Sequence, residues 1–218
     1  MKSITEIIKI GFLFFIVACN GESSLNKEDY VHYVTNEDNG LLNTKEINDI
    51  EFHLQYEPIN YKVLKKVKNR LITPKQYRED VERFKGGQYF IFKIALKDKQ
   101  GDLLKYEAKN QEEYADRVQY FSSRMQNDFY LLDGKDSLKC NLFHFERTYG
   151  VSPFSTFVLG FDSNNELKEV GNTVKEIVKD DKVLVYDDKA FGVGPIKYKI
   201  RAKDINNIPE LTIEYDVK

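Results

Sequence analysis

Polar and apolar residues alternate at Glu51-Phe52-His53-Leu54-Gln55-Tyr56, which predicts a strand with Phe52, Leu54 and Tyr56 facing inward. Glu57-Pro58 ends it, and Val63, Leu64, Val67 and Leu71 then recur at helical spacing over 61–71. Thr73-Pro74-Lys75-Gln76 reads as a capping box with proline at the first helical position. Tyr77, Val81 and Phe84 form the apolar stripe of that helix, and Gly86-Gly87 stops it. Residues 89–97 predict a strand with Phe90, Phe92, Ile94 and Leu96 on one face. Its other face is also partly apolar, so helices are expected to cover it. Leu103–Tyr106 is expected to return as its hairpin partner. Asn110 caps a further helix whose stripe is Tyr114, Val118, Phe121 and Met125.

The second half reads as almost pure β, with strands over 137–147, 154–162, 182–187, 195–203 and 209–217. Turn clusters such as Asp133-Gly134-Lys135-Asp136 and Asp162-Ser163-Asn164-Asn165 separate them. Lys197, Lys199, Arg201 and Lys203 alternate with apolar residues, and Glu210, Glu214 and Asp216 do so further on. These two segments are expected to pair as a hairpin around Asp204–Asn207, with opposite charges facing each other. The fold class is therefore α+β: an antiparallel sheet or β-sandwich in the C-terminal half, with two or three helices in the N-terminal half.

The first nineteen residues are of a different kind. Lys2 and Lys9 precede an eight-residue apolar stretch, Ile10 to Val17, that closes on Ala18-Cys19. A spanning helix needs ~20 apolar residues, so this run has the proportions of a signal-peptide core instead. Ile16-Val17-Ala18-Cys19 resembles the lipobox of bacterial lipoproteins, with Ile in place of Leu and Val17 larger than usual. That resemblance implies cleavage before Cys19 and acylation of its thiol. Residues 19–29 would then be a polar lipidated tether and 30–218 a single α+β domain, held at the cell membrane or outer membrane. An ordinary signal peptide with a coincidental cysteine, or an uncleaved anchor, is the competing reading.

Composition adds exclusions. The chain has 218 residues, 41% hydrophobic and 31% charged, with 13% aromatic and no Trp. Disordered and collagen-like chains are excluded on that content. Removing Lys2, Lys9 and Glu6 with residues 1–18 takes the formal charge from −2 to −3. The 26 Lys and 7 Arg are spread along the chain, and a nucleic-acid partner is not expected. Cys140 is left as the one unmodified thiol, so no internal disulfide is available.

Candidate chemistry is sparse. Cys140 and His144 would lie ~13 Å apart on one extended strand, too far for a nucleophile–base pair. His144, Glu146, Arg147 and Tyr149 are the low-level catalytic candidates, because four functional side chains precede Gly150 and the Pro153 turn. A metal site is not expected, since His32 and His53 fall in unrelated segments. Acidic turns at Asp162–Glu166, Asp180-Asp181 and Asp187-Asp188 lack the EF-hand pattern. Gly192-Val193-Gly194-Pro195 lacks the context of a dinucleotide loop, and no cofactor is implied. Three readings stay open: a membrane-anchored lipoprotein that binds a partner or supports an envelope assembly, a cell-envelope hydrolase using carboxylate or His chemistry, and a periplasmic inhibitor or immunity protein.

Overall fold

The apolar face of Phe90, Phe92 and Ile94 meets a second alternating face carrying Phe129, Leu131, Leu184, Tyr186, Ile196 and Tyr198, and all these side chains are buried. Phe92 stands between the two layers. Its ring centroid lies 5.2 Å from those of both Phe129 and Tyr186, and 6.3 Å from those of Phe52 and Phe157. Edge-on aromatic pairs of this kind add to simple burial and fix how the layers interlock. The computed structural model describes residues 24–68, 70–98, 101–147 and 152–216.

The strands are, in order, β1 (Ser24–Leu25), β2 (Leu42–Ile47), β3 (Ile50–Glu57), β4 (Gly87–Leu96), β5 (Phe129–Asp133) and β6 (Asp136–Lys139). Then come β7 (Leu142–Glu146), β8 (Phe154–Asp162), β9 (Glu166–Val170), β10 (Thr173–Ile177), β11 (Lys182–Asp188), β12 (Gly194–Ile200) and β13 (Glu210–Leu211). The helices are α1 (Lys27–Thr35), α2 (Ile59–Val67), α3 (Pro74–Phe84), α4 (Gln111–Ser122) and α5 (Ala202–Asn206).

Five strands form one antiparallel sheet in the order β2-β3-β4-β8-β7, and four form the facing one in the order β12-β11-β5-β6. The protein is thus α+β, built on a β-sandwich. Inner strand β4 is covered on its apolar face by the second sheet, not by helices. Tyr198 ties the sheets together by donating its hydroxyl proton to the Phe52 carbonyl at 3.0 Å. The turns are chemically apt: Gly134, at φ 61, sits between β5 and β6, and Asn48, at φ 55, sits between β2 and β3.

Helices α2 and α3 gather at one end with β9 and β10, where Ile59, Val63, Val67, Ile72, Tyr77 and Val81 form a smaller core, whereas α4 packs its Phe121 against Phe145 and Phe157 of the larger one. The capping box of α3 is present in full, with Thr73 Oγ1 accepting from Gln76 N–H and Gln76 Oε1 from Thr73 N–H. Glu176 joins this end to the sandwich. Its carboxylate accepts from Tyr56 Oη at 3.0 Å and Ile59 N–H at 2.8 Å. Complete burial pushes its carboxyl above the usual range, and those hydrogen bonds only partly offset the effect.

Four expectations need correction. The 195–203 and 209–217 segments do not pair. β12 pairs with β11 instead, Ala202–Asn206 is helical, and Glu210–Leu211 adds to the N-terminal β1 in parallel. The charges are satisfied locally: Lys199 reaches Asp181 at 2.7 Å and Arg201 reaches Asp204 at 2.6 Å. Second, 137–147 is two strands in two sheets, because the chain crosses the sandwich at Cys140-Asn141. Third, Leu103–Tyr106 is a turn and not a strand. Fourth, α2 ends at Val67, and Lys68 at φ 54 swings the chain away, leaving Leu71 64% exposed instead of on the buried stripe.

Candidate functional site

The outward-facing side of the five-stranded sheet carries the densest set of reactive side chains that are not sealed in a core. Strand register alone lays them out in rows. Thr44, His53, Lys93, Thr156 and Glu146 are successive partners across β2, β3, β4, β8 and β7. The next row is Leu42, Gln55, Ile91, Val158 and His144. An open groove of about 380 Å³ runs over this face, with Tyr61 and Lys65 of α2 at one end and Phe154 and Glu146 towards the other.

His53 is the best-ordered group in it. Thr44 Oγ1 lies 2.9 Å from Nδ1, and Glu51 Oε2 lies 3.2 Å from Nε2. Thr44 in turn donates to Glu37 Oε1 at 2.7 Å. The ring stands edge-on to Phe154 with centroids 5.5 Å apart. Burial pulls the imidazole below its ordinary value despite the neighbouring Glu51, so it is neutral at pH 7. Hydroxyl, imidazole and carboxylate are connected as in a nucleophile–base–orienter set. However, Thr44 gives its own proton to Glu37, so the imidazole is not placed to withdraw it, and a neutral ring has a single proton for either the Thr44 or the Glu51 contact, not both. Cross-strand Thr–His pairing of this kind stabilises the β2–β3 ladder.

At the other end Glu57, itself buried, accepts from Lys65 and, at 3.4 Å, from Lys62. Lys62 also lies 4.1 Å from the centre of the Tyr89 ring, a cation–π contact, and burial lowers its pKa.

The residues singled out from sequence are not brought to one point. His144 and Glu146 share the outer face of edge strand β7, and both are exposed. Glu146 lines the groove, yet three strand spacings of ~4.8 Å put it roughly 14 Å from His53. Arg147 lines a different pocket, beside Tyr114 and Ser152. Tyr149 and Cys19 lie outside the described residues. Cys140 packs in the core with its Sγ 3.1 Å from the Leu142 carbonyl, and burial pushes its thiol up to about 11.

The acidic turns are engaged elsewhere. Asp188 accepts from Tyr186 Oη and from the N–H groups of Ala190, Phe191 and Val193, which shapes the 189–193 loop. Asp187 pairs with Lys189, and Asp162 accepts from Asn141 at 2.6 Å. Among the described residues no group of three or more His, Cys, Asp or Glu is placed to hold a metal ion. No described helix is long and apolar enough to cross a membrane.

Sequence reasoning missed the buried polar network behind the groove. Lys182, 1% exposed, gives its ammonium to Asp133 Oδ2 at 2.6 Å and Asn165 Oδ1 at 3.1 Å. Gln88 donates to the same Asp133 oxygen at 3.0 Å. The signal for it, a lone lysine opening the apolar run Val183-Leu184-Val185, is weak in a chain this rich in lysine.

The comparisons add no relative. No family model, no curated protein and no solved structure matches the chain.

Proposed function

We propose that this is a lipid-anchored protein of the bacterial cell envelope that acts by binding a partner and not by catalysis. The observation carrying the proposal is Ala18-Cys19 closing a short apolar run behind Lys2 and Lys9. Two or three acyl chains on one residue hold a protein to a bilayer persistently, where one chain holds it only marginally. A binding role is supported by the groove on the outer sheet face, which is open, mixed in polarity and bordered by edge strands β2 and β7. Such edges accept an added strand from a partner, with alternate side chains read by the face beside it.

The Thr44–His53–Glu51 chain is the observation that favours a hydrolase instead, and it is weakened by the direction of the Thr44 proton. Intact mass of the native protein tests the anchor: a mature chain beginning at acylated Cys19 is expected, and an unmodified thiol or another first residue overturns it. Cys19→Ser is expected to release the protein from membranes. Replacing Thr44 by Val separates the remaining readings, since a hydrolase would lose its activity while a binding protein keeps partner capture in a cross-linking assay.

A further inference from the structure

The spread of lysines along the chain hides one local excess. Residues 58–78 contain Lys62, Lys65, Lys66, Lys68, Arg70, Lys75 and Arg78 and not one Asp or Glu, in a chain of net charge −2. Part of that charge is used internally: Lys62 and Lys65 bind Glu57, and Lys66 binds Asp80. Lys68 and Arg70 are exposed, and no acidic side chain among the described residues pairs with them. Between them and α3 stands Leu71, the most exposed large apolar side chain among the described residues. A groove of about 390 Å³ adjoins it, floored by Leu64, Val67, Ile72 and Ile213. Its rim is mixed, with Glu28 and Glu214 beside Lys27 and Arg70.

We propose that Lys68, Arg70 and Leu71, between α2 and α3, form a membrane-contact surface that rests on anionic phospholipid, with Leu71 entering the interface and Lys68 and Arg70 meeting the headgroups. Placement argues for a bilayer as the occupant. Asn26 and Lys27 line the same groove, so the chain leading to Cys19 departs beside it. Residues 19–23 span at most ~17 Å, at ~3.4 Å per residue. Asn26, on the groove, is seven residues from Cys19, at most ~24 Å of chain, so the groove lies near any bilayer that holds Cys19. Tethering makes the contact effectively intramolecular, so a weak surface suffices. An exposed apolar side chain flanked by cations is the composition that binds an anionic interface. The proposal rests on the lipid anchor, and its test keeps the two apart.

Full-length Leu71→Cys protein carries an environment-sensitive fluorophore at residue 71, while the buried Cys140 thiol stays unlabelled in the folded state. Lys197→Cys, on the outer face of β12, serves as the control position. The labelled proteins are reconstituted with phosphatidylcholine vesicles, with or without phosphatidylglycerol, and the mass at Cys19 is read on the same sample. A blue shift and quenching by brominated lipid at residue 71, absent at residue 197 and dependent on phosphatidylglycerol, is expected. Lys68→Asn and Arg70→Gln in the acylated, labelled protein should each weaken the phosphatidylglycerol-dependent contact at residue 71 about five-fold. In the unlabelled protein, hydrogen exchange of 70–72 should slow on the same vesicles. A water-like signal at residue 71 in acylated protein overturns the contact and leaves the anchor standing. An unmodified Cys19 overturns the anchor, and salt-sensitive binding of that protein to phosphatidylglycerol then upholds the patch alone, whereas no binding overturns it too. A blue shift without vesicles that grows with protein concentration makes the surface a contact between copies and overturns the proposal.

Discussion

His53 and Lys182 show how burial decides what single polar residues do here. The His53 imidazole titrates below its ordinary 6.5 because desolvation outweighs Glu51. The unfolded chain therefore takes up a proton first as pH falls. Stability from this group is complete above pH 6.5 and is lost as the pH drops towards the folded value. Thermal melts of wild type and His53→Asn across that window should differ in slope, the variant being flatter. Lys182 is enclosed against Asp133, Asn165 and the Gln88 amide that shares its acceptor. Lys182→Met leaves a largely buried carboxylate short of its cation and should cost about 3 kcal/mol in denaturant unfolding. Neither role follows from sequence. His53 reads as an ordinary outward residue of an alternating strand, and which groups close around it is decided by Glu37 and Thr44 folding over from earlier in the chain.

Among the elements, α3 was the most legible because its start is written in local chemistry. Thr73→Ala removes the acceptor for Gln76 N–H and should lower stability by about 1 kcal/mol, measured by urea unfolding. The end of α2 is written less plainly. Lys68 stands at φ 54 and ψ −121, a conformation suited to glycine, and Lys68→Gly should raise the unfolding midpoint, by up to about 1 kcal/mol. Helical spacing continued to Leu71 on paper because periodicity carries no record of a backbone that turns at a non-glycine residue. The charged C-terminal segments mislead for a related reason. Alternation identifies a strand and its faces but not its neighbour, and β12 found β11 while 202–206 satisfied its backbone within a helix. The long β4 strand was readable from Phe90, Phe92 and Ile94, yet whether a helix or a sheet covers it was not, since either buries the same side chains.

At the scale of the molecule, an α+β fold with an antiparallel sheet or sandwich and helices in the N-terminal half follows from composition and pattern. The outer-face site does not, because it is assembled from separated segments. The outer-face groove needs β2, β3, β4, β7 and β8 in register before Glu146 and His53 share it. His144 and Glu146 were legible only as neighbours on one strand face, which they are, at an exposed edge. The double variant His144→Ala, Glu146→Ala should melt within about 0.5 kcal/mol of wild type, as exposed positions without special partners do.

The parallel clip of β1 on β13 has a mechanical meaning. Two residue pairs, Ser24 with Glu210 and Leu25 with Leu211, and the bond from Thr212 N–H to the Leu25 carbonyl tie the start of the described chain to its last segment. Any pull transmitted along the polypeptide from ahead of Ser24 loads that short ladder before it reaches the interlocked rings around Phe92. Under such tension the clip is expected to yield before α1, whose Tyr30 and Val34 are buried in the main core. The seam between the first and last strands would then act as a fuse between a load on the front of the chain and the body behind it.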